Sequence, residues 1–275
     1  MAGPLISAPD LAARTDPKPV MLDCRFSLAD TDAGRRQYIE GHIPGAVYMD
    51  LERDLSGPLS RHGGRHPLPE PESLADTFRK AGINQDTHVV AYDDSRFAFA
   101  SRAWWLLRYL GHGNVSVLDG GFSAWVAAGL PVETEQPQPA LGDFMANIQP
   151  ELVVDYQRVR KISRGGGAQL VDCREKTRYL GLEEPLDPVA GHIPGAVNYP
   201  WQAVTDTSGL ARPAAEHVSR WQDLPVDQEL VFYCGSGVTA CVNQLSMELA
   251  GRDMGKLYVG SWSDWCSYLD QDDKR

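Results

Sequence analysis

One short segment places a nucleophile in a setting that would activate it. In YCGSGVTA (Tyr233–Ala240) an apolar run ends at Tyr233, a helical pattern starts near Thr239, and small or turn-forming residues lie between them. Gly235 and Gly237 allow the backbone to curl so that successive N–H groups point inward. The positive end of the following helix adds to the same point. A thiolate at Cys234 would be stabilised there, and Ser236 and Thr239 bring hydroxyl donors. The other cysteines have no such setting. Cys24 and Cys173 fall at equivalent strand ends and read as small core residues, Cys241 lies further along the helix and reads as buried, and Cys266 is free to be exposed and redox-active although nothing in the sequence requires it. A cysteine phosphatase would need an arginine at the far end of the loop, C-x5-R, to clamp phosphate. That position is Ala240, which excludes the phosphatase reading.

The chain is internally repeated, and only the second copy carries the loop cysteine. LDCR (Leu22–Arg25) recurs as VDCR (Val171–Arg174), and GHIPGAV (Gly41–Val47) recurs unchanged as Gly191–Val197. VVAYDDS (Val89–Ser95) matches LVFYCGS (Leu230–Ser236), and GGFSAW (Gly120–Trp125) matches GSWSDW (Gly260–Trp265). Matches in a fixed order indicate two copies of one domain. Asp93 stands opposite Cys234, so the first copy reads as chemically silent. His42 and His192 sit in identical turns of both copies, which points to packing or turn hydrogen bonding rather than catalysis. Trp104, Trp105, Trp125, Trp262 and Trp265 recur with the repeat and read as core or domain-interface aromatics.

Each half, roughly 130 residues, is long enough to bury its own core. Apolar runs and helical stretches alternate. PVMLDCR, HVVAYDD and VSVLDGG read as strands of the first half, with SRAWWLLRYLGH as a helix ending at Gly111. AQLVDCR and ELVFYCG are their counterparts in the second half, followed by the helix of TACVNQLSMELAGR. The expected fold class is therefore α/β: two tandem domains, each a mainly parallel sheet flanked by helices. The expected division is 1–132 for a first, catalytically inactive domain, 133–150 for a linker rich in Pro, Gln and Glu, and 151–275 for a second, catalytic domain. Gly165–Gly167 reads as a flexible tip, because no phosphate-binding pattern surrounds it.

Composition narrows the partners. With 26 Lys and Arg against 37 Asp and Glu the net charge is −11, and no basic block offers nucleic acid or an anionic membrane a footing. An anionic substrate would need a local positive site built against that overall field. No apolar run approaches the length of a membrane span, and the N-terminus lacks the pattern of a secretory signal. Five cysteines without CxxC spacing fit neither a disulfide framework nor zinc. A reducing, cytoplasmic setting is expected, with no metal and no organic cofactor.

The paired GHIPGAV motifs, the CGSGVTA loop and the VLDGGFSAW and LYVGSWSDW ends resemble tandem-domain sulfurtransferases of the rhodanese family, over nearly the whole chain. The resemblance implies an enzyme that moves a sulfane sulfur through a Cys234 persulfide to an acceptor. The acceptor would be a thiol, such as a reduced thioredoxin-like protein or a small thiol, or cyanide. CG[ST]GVT is the loop form of members that use 3-mercaptopyruvate and release pyruvate, whereas members that use thiosulfate typically carry basic residues where Gly235 and Gly237 stand. Gly235, Gly237, Val238 and Thr239 are then the substrate-facing loop positions. Arg178, in CREKTRYLG, aligns with the family arginine that holds the substrate carboxylate. Mercaptopyruvate members often have a second arginine in an EPxPR-like stretch, where EEPLDP here places Asp187, as in the thiosulfate members. The family also joins cysteine, serine, histidine and an acidic residue in a relay. Ser236, His66 (GGRHPLP) and Glu52 (YMDLER) are the nearest matches, with Asp50 able to substitute for Glu52, and Arg65 beside His66 able to add positive potential. Thiosulfate sulfurtransferase is the alternative activity, and a persulfide carrier without turnover a further one.

Overall fold

A computed structural model describes residues 3–272. The chain forms two compact units. Unit 1 comprises the described residues of Met1–Ser56, together with Pro69–Gln149 and Thr205–Ala211. Unit 2 comprises Gly57–Leu68, Pro150–Val204 and the described residues of Arg212–Arg275. Each half of the sequence thus gives one short segment to the unit built mainly by the other half. His66, expected in the first domain, lies in the segment that belongs to unit 2.

Unit 1 runs β1 (Leu5–Ile6), α1 (Ala8–Ala12), β2 (Val20–Asp23), α2 (Ala33–Glu40), β3 (Val47–Tyr48), α3 (Pro71–Lys80), β4 (Val89–Tyr92), α4 (Ala100–Tyr109), β5 (Val115–Leu118) and α5 (Gly121–Ala127). Its five strands pair in the order β1-β5-β4-β2-β3, and every pairing is parallel. Unit 2 runs β6 (Val153–Val154), α6 (Tyr156–Ser163), β7 (Ala168–Asp172), α7 (Lys176–Tyr179), β8 (Val197–Asn198), α8 (Ala214–Trp221), β9 (Glu229–Tyr233), α9 (Ala240–Leu249), β10 (Lys256–Tyr258) and α10 (Ser261–Asp272). Its strands follow the same order, β6-β10-β9-β7-β8, again all parallel. The sequence repeat is therefore a repeat of topology.

The central strands explain their own sequences. All four residues of β4 are buried, as are four of the five in β9, because helices cover both faces of a parallel sheet and leave no polar side. The helices that follow them are buried nearly all round: α9 buries Ala240 through Met247 without a break, and α4 buries Trp104 and Trp105 completely. A helix in this position is a core element rather than an amphipathic cover.

The repeated motifs brace the sheets. Asp172 and Arg174 form a buried pair at 2.6 Å, and Arg174 donates a second bond to the Gly191 carbonyl at 2.6 Å. Tyr233 Oη accepts the Ile193 N–H at 3.1 Å. Asp23, Arg25, Gly41, Tyr92 and Ile43 repeat this arrangement in unit 1. The motif's arginine therefore ties the end of one strand to the turn before the next. His42 stacks on Tyr38 with centroids 4.0 Å apart and bonds its carbonyl, and His192 does the same on Tyr179 at 3.9 Å. Both histidines have the structural role that their presence in both copies implied.

The stretch 133–150 contains little regular structure but is fastened along unit 1. Phe144 is fully buried, the N–H groups of Asn147 and Gln149 bond the carbonyls of Leu110 and Tyr109 at 2.8 Å, and Glu133 forms an antiparallel bridge with His42. Cys266 is buried rather than exposed, since α10 turns it inward. Burial, with Asp187 a further cause, pushes its thiol up to about 12. Cys24 and Cys173 are also buried, with burial driving both thiols well above their ordinary range.

Candidate active site

Cys234 is delivered by the carboxyl end of β9, the central strand of its sheet, where ligands of open α/β sheets bind. The residue is 2% exposed. Its N–H donates to Ser261 Oγ at 3.1 Å, while its carbonyl accepts from Trp262 N–H at 3.0 Å and the Gly235 carbonyl from Ser263 N–H at 2.9 Å. The start of α10 therefore fixes the cysteine loop from one side. Ser261 holds a left-handed φ of 56°, unusual for serine, and its hydroxyl both accepts from Cys234 and donates to the Tyr258 carbonyl. Sequence reasoning did not single out Ser261, although the GGFSAW–GSWSDW match pointed to this turn.

Gly237 has φ 76°, and a Cβ there would lie 2.2 Å from the Val259 carbonyl oxygen. Both facts exclude a side chain. Gly237→Ala is expected to destabilise unit 2 by about 1–3 kcal/mol through left-handed strain and backbone displacement. A fall in the thermal midpoint, together with slower alkylation of Cys234, checks this. Val238 is buried, and Thr239 caps α9 without a side-chain hydrogen bond to the helix backbone.

Ser236 Oγ and His66 Nδ1 are 2.7 Å apart, and both residues are buried. They are 170 positions apart in the chain, and the segment Gly57–Leu68 brings them together. Its seating is specific: the Arg65 N–H donates to Ser263 Oγ at 3.1 Å, the Gly63 N–H to Asp264 Oδ1 at 2.7 Å, and His62 Nδ1 lies 2.7 Å from Ser267 Oγ. The same turn of α10 that pins Cys234 thus also receives the histidine's segment.

Two arginines reach the loop. A Cβ built on Gly235 would lie 3.0 Å from Arg65 Nη2 and 3.5 Å from both terminal nitrogens of Arg178. Arg178 pairs with Glu184 at 2.7 Å and with Asp187 at 3.3 Å, and Asp187 also pairs closely with Arg65. Glu184 reaches Arg174 at 3.1 Å. Burial raises the Asp187 carboxyl above its usual range despite the opposing pull of Arg65. For Glu184 burial also acts upward, but the bond and charge of Arg178 outweigh it and the carboxyl is lowered. The role of Glu184 was not legible in sequence, where it stood as one acid in an acidic stretch.

Glu52 and Asp50 belong to unit 1. Glu52 is exposed in the turn after β3, and buried Asp50 accepts the N–H groups of Glu52 and Arg53 at 2.9 and 3.0 Å. Asp50 therefore shapes its own turn.

Unit 1 shows what the loop can hold. Asp93, in the place of Cys234, is buried, and its two carboxylate oxygens accept four backbone N–H groups: Ser95 and Phe97 on one, Phe99 and Ala100 on the other, at 2.8–3.1 Å. Burial pushes this carboxyl up and the four donors pull it down. The loop at the end of β4 is an anion cradle, filled by the chain's own side chain.

A family model described as a rhodanese-like domain matches residues 7–128 and again 155–268. A probable 3-mercaptopyruvate sulfurtransferase of Pseudomonas aeruginosa is 46% identical over 269 residues, covering 95% of this chain and 94% of the relative. A putative thiosulfate sulfurtransferase of Mycobacterium tuberculosis, SseB, is 40% identical over 96% of this chain and 94% of its own length. Among solved structures, SseA of Escherichia coli, described as a 3-mercaptopyruvate sulfotransferase, superposes with a TM-score of 0.84 at 35% identity, covering 95% of this chain and all of that one. The chain belongs to the rhodanese family, and both of its units are rhodanese-like domains, each with a five-stranded parallel sheet.

Proposed function

We propose that the protein is a sulfurtransferase that takes sulfur from 3-mercaptopyruvate onto Cys234 and passes it to a thiol or to cyanide. The observation that carries this reading is the convergence of Arg65 and Arg178 on Gly235, next to the cysteine at the end of β9. The identity to the Pseudomonas relative supports the choice of donor.

In the first step the Cys234 thiolate attacks the sulfur of the donor. A sulfur–sulfur bond forms, the carbon–sulfur bond breaks, and its electron pair leaves as the enolate of pyruvate, which takes up one proton. In the second step an acceptor thiolate or cyanide attacks the outer sulfur and returns Cys234 as thiolate. Splitting the transfer into two displacements is covalent catalysis. The loop amides of Gly235, Gly237, Val238 and Thr239 stabilise the thiolate and the persulfide anion, and Arg178 holds the donor carboxylate. His66, through Ser236, supplies the proton that the enolate needs. Unit 1 is catalytically silent, because Asp93 fills its cradle. The chemistry is carried by the protein's own side chains, with no cofactor or metal. Among the described residues no helix is long and apolar enough to cross a membrane, and we place the protein in the cytoplasm, where reducing conditions keep the Cys234 thiol available.

His66→Ala is expected to lower kcat with mercaptopyruvate by ~10²-fold and to remove one limb of its pH profile, while Cys234 still takes up sulfur in a slow single turnover. Retention of full kcat would exclude the relay. The donor itself is tested by following thiocyanate formation from cyanide with 3-mercaptopyruvate or thiosulfate, alongside the mass of Cys234. Preferred turnover of mercaptopyruvate with one added sulfur on Cys234 supports the reading. Asp187, together with the similarity to SseB, makes thiosulfate the alternative donor. A stable persulfide without turnover would mean a sulfur carrier.

A further inference from the structure

We propose that Asp187 is a resident counter-ion of the Arg65–Arg178 pair and selects sulfur donors by their charge. This inference rests on the reading above that Cys234 accepts sulfur from an anionic donor. The two guanidinium groups meet beside Gly235, within 3.0 and 3.5 Å of the position a Cβ would take. Asp187 spans them, with Oδ1 toward Arg65 and Oδ2 toward Arg178 at 3.3 Å. A carboxylate that bridges two arginines in this way holds the pattern an incoming donor carboxylate would adopt.

Exposure shows which side remains open. The Asp187 side chain is 2% exposed, while those of Arg178 and Arg65 are 13% and 32% exposed. The acid is thus less exposed than either arginine, and the more exposed Glu175 lies 4.0 Å from Arg178 Nη1. A donor shares the guanidinium groups with Asp187 rather than meeting them unopposed.

The local charges give no net positive site. Arg65, Arg174 and Arg178 are opposed by Asp172, Glu175, Glu184 and Asp187, three positive against four negative, all joined in one network of pairs. The arginines therefore give direction to a bound anion without a net positive field. A monoanionic carboxylate needs no more than that. Thiosulfate, a dianion, is disfavoured most by such a site, because interaction with a net charge scales with the ligand's own charge.

Removing the acid's charge should shift the preference toward thiosulfate. In Asp187→Asn the network loses one negative charge and becomes balanced, and any gain felt by a monoanion should be felt about twice over in free energy by a dianion. If kcat/KM for mercaptopyruvate rises about 3-fold, that for thiosulfate should rise about 10-fold. Asp187→Glu keeps the charge and should leave the ratio of the two donors near that of the native protein. If Asp187 only positioned the arginines, Asp187→Asn would impair both donors by a similar factor.

The test that does not depend on donor identity compares two alkylating probes of Cys234 by mass spectrometry, anionic iodoacetate and neutral iodoacetamide. The iodoacetate-to-iodoacetamide rate ratio is expected to rise about 3-fold in Asp187→Asn and to fall by a similar factor in Arg65→Gln, which removes a charge of the opposite sign. The second variant decides the matter if the first does not fold. A ratio that stays fixed or moves the other way in a folded variant overturns the proposal. If neither sulfur donor turned over, the function proposed above would fail, and the alkylation ratio would still decide the role of Asp187.

Discussion

Replacement of Cys234 by serine should abolish sulfur transfer from every donor, by on the order of 10³-fold or more. The chemistry leaves no substitute. The first step needs a polarisable anion that can attack sulfur and keep it, and a serine hydroxyl at neutral pH is neither anionic nor able to form a persulfide. The variant should nonetheless fold, since one oxygen replaces one sulfur at a position 2% exposed and the N–H and C=O bonds of residue 234 involve only backbone atoms of that residue. Cys24, Cys173, Cys241 and Cys266 are all buried, and burial raises the thiols of Cys24, Cys173 and Cys266. Intact mass after donor treatment should show one added sulfur in the native protein and none in Cys234→Ser. An unchanged thermal midpoint would confine the loss to chemistry. Native turnover in the variant would move the nucleophile elsewhere and remove the basis for the proposed mechanism.

The fold was legible because it was written twice. A run such as VVAY or LVFY is ambiguous alone, but the same run in the same order beside the same DCR and GHIPGA motifs is not. The Cys234 loop was legible for a local reason, since glycine spacing and the onset of a helix are properties of neighbouring residues. What escaped was non-local. The pairing of Arg65 with Asp187 joins positions 122 apart, and the partnership of Arg178 with Glu184, although close in sequence, depends on how a short acidic loop folds back. The segment Gly57–Leu68 has no local signature of its position, since the N–H groups of Gly63 and Arg65 bond side chains of α10 about 200 residues on. His66 could be named from resemblance, but its 2.7 Å approach to Ser236 follows from that seating and from nothing in its own neighbourhood. The stretch 133–150 lacked periodicity because a segment bound along a surface by its backbone needs no regular side-chain pattern.

The silent copy provides the second large effect. Asp93→Ala should destabilise unit 1 by at least about 3 kcal/mol, which marks Asp93 as a structural necessity rather than a neutral replacement for cysteine. Four N–H groups converge on its carboxylate within a buried loop, and an unsatisfied buried donor costs about 1–3 kcal/mol. Water entering the space left by the carboxylate would recover part of that sum, and the buried charge is itself costly, as its raised pKa records. The loop also contains Arg96 and Phe97 at φ 59° and 71°, left-handed conformations that the converging bonds help to hold. Asp93→Asn, which keeps one acceptor oxygen and the shape of the group, should fall between the native protein and the alanine variant. Differential scanning calorimetry of the three proteins gives the order directly. Alkylation of Cys234 below the transition reports on unit 2 in the same samples. If Asp93→Ala proved as stable as the native protein, the four bonds would not hold this loop. The parallel drawn from it, that the Cys234 loop is built to hold an anion, would then lose its internal control.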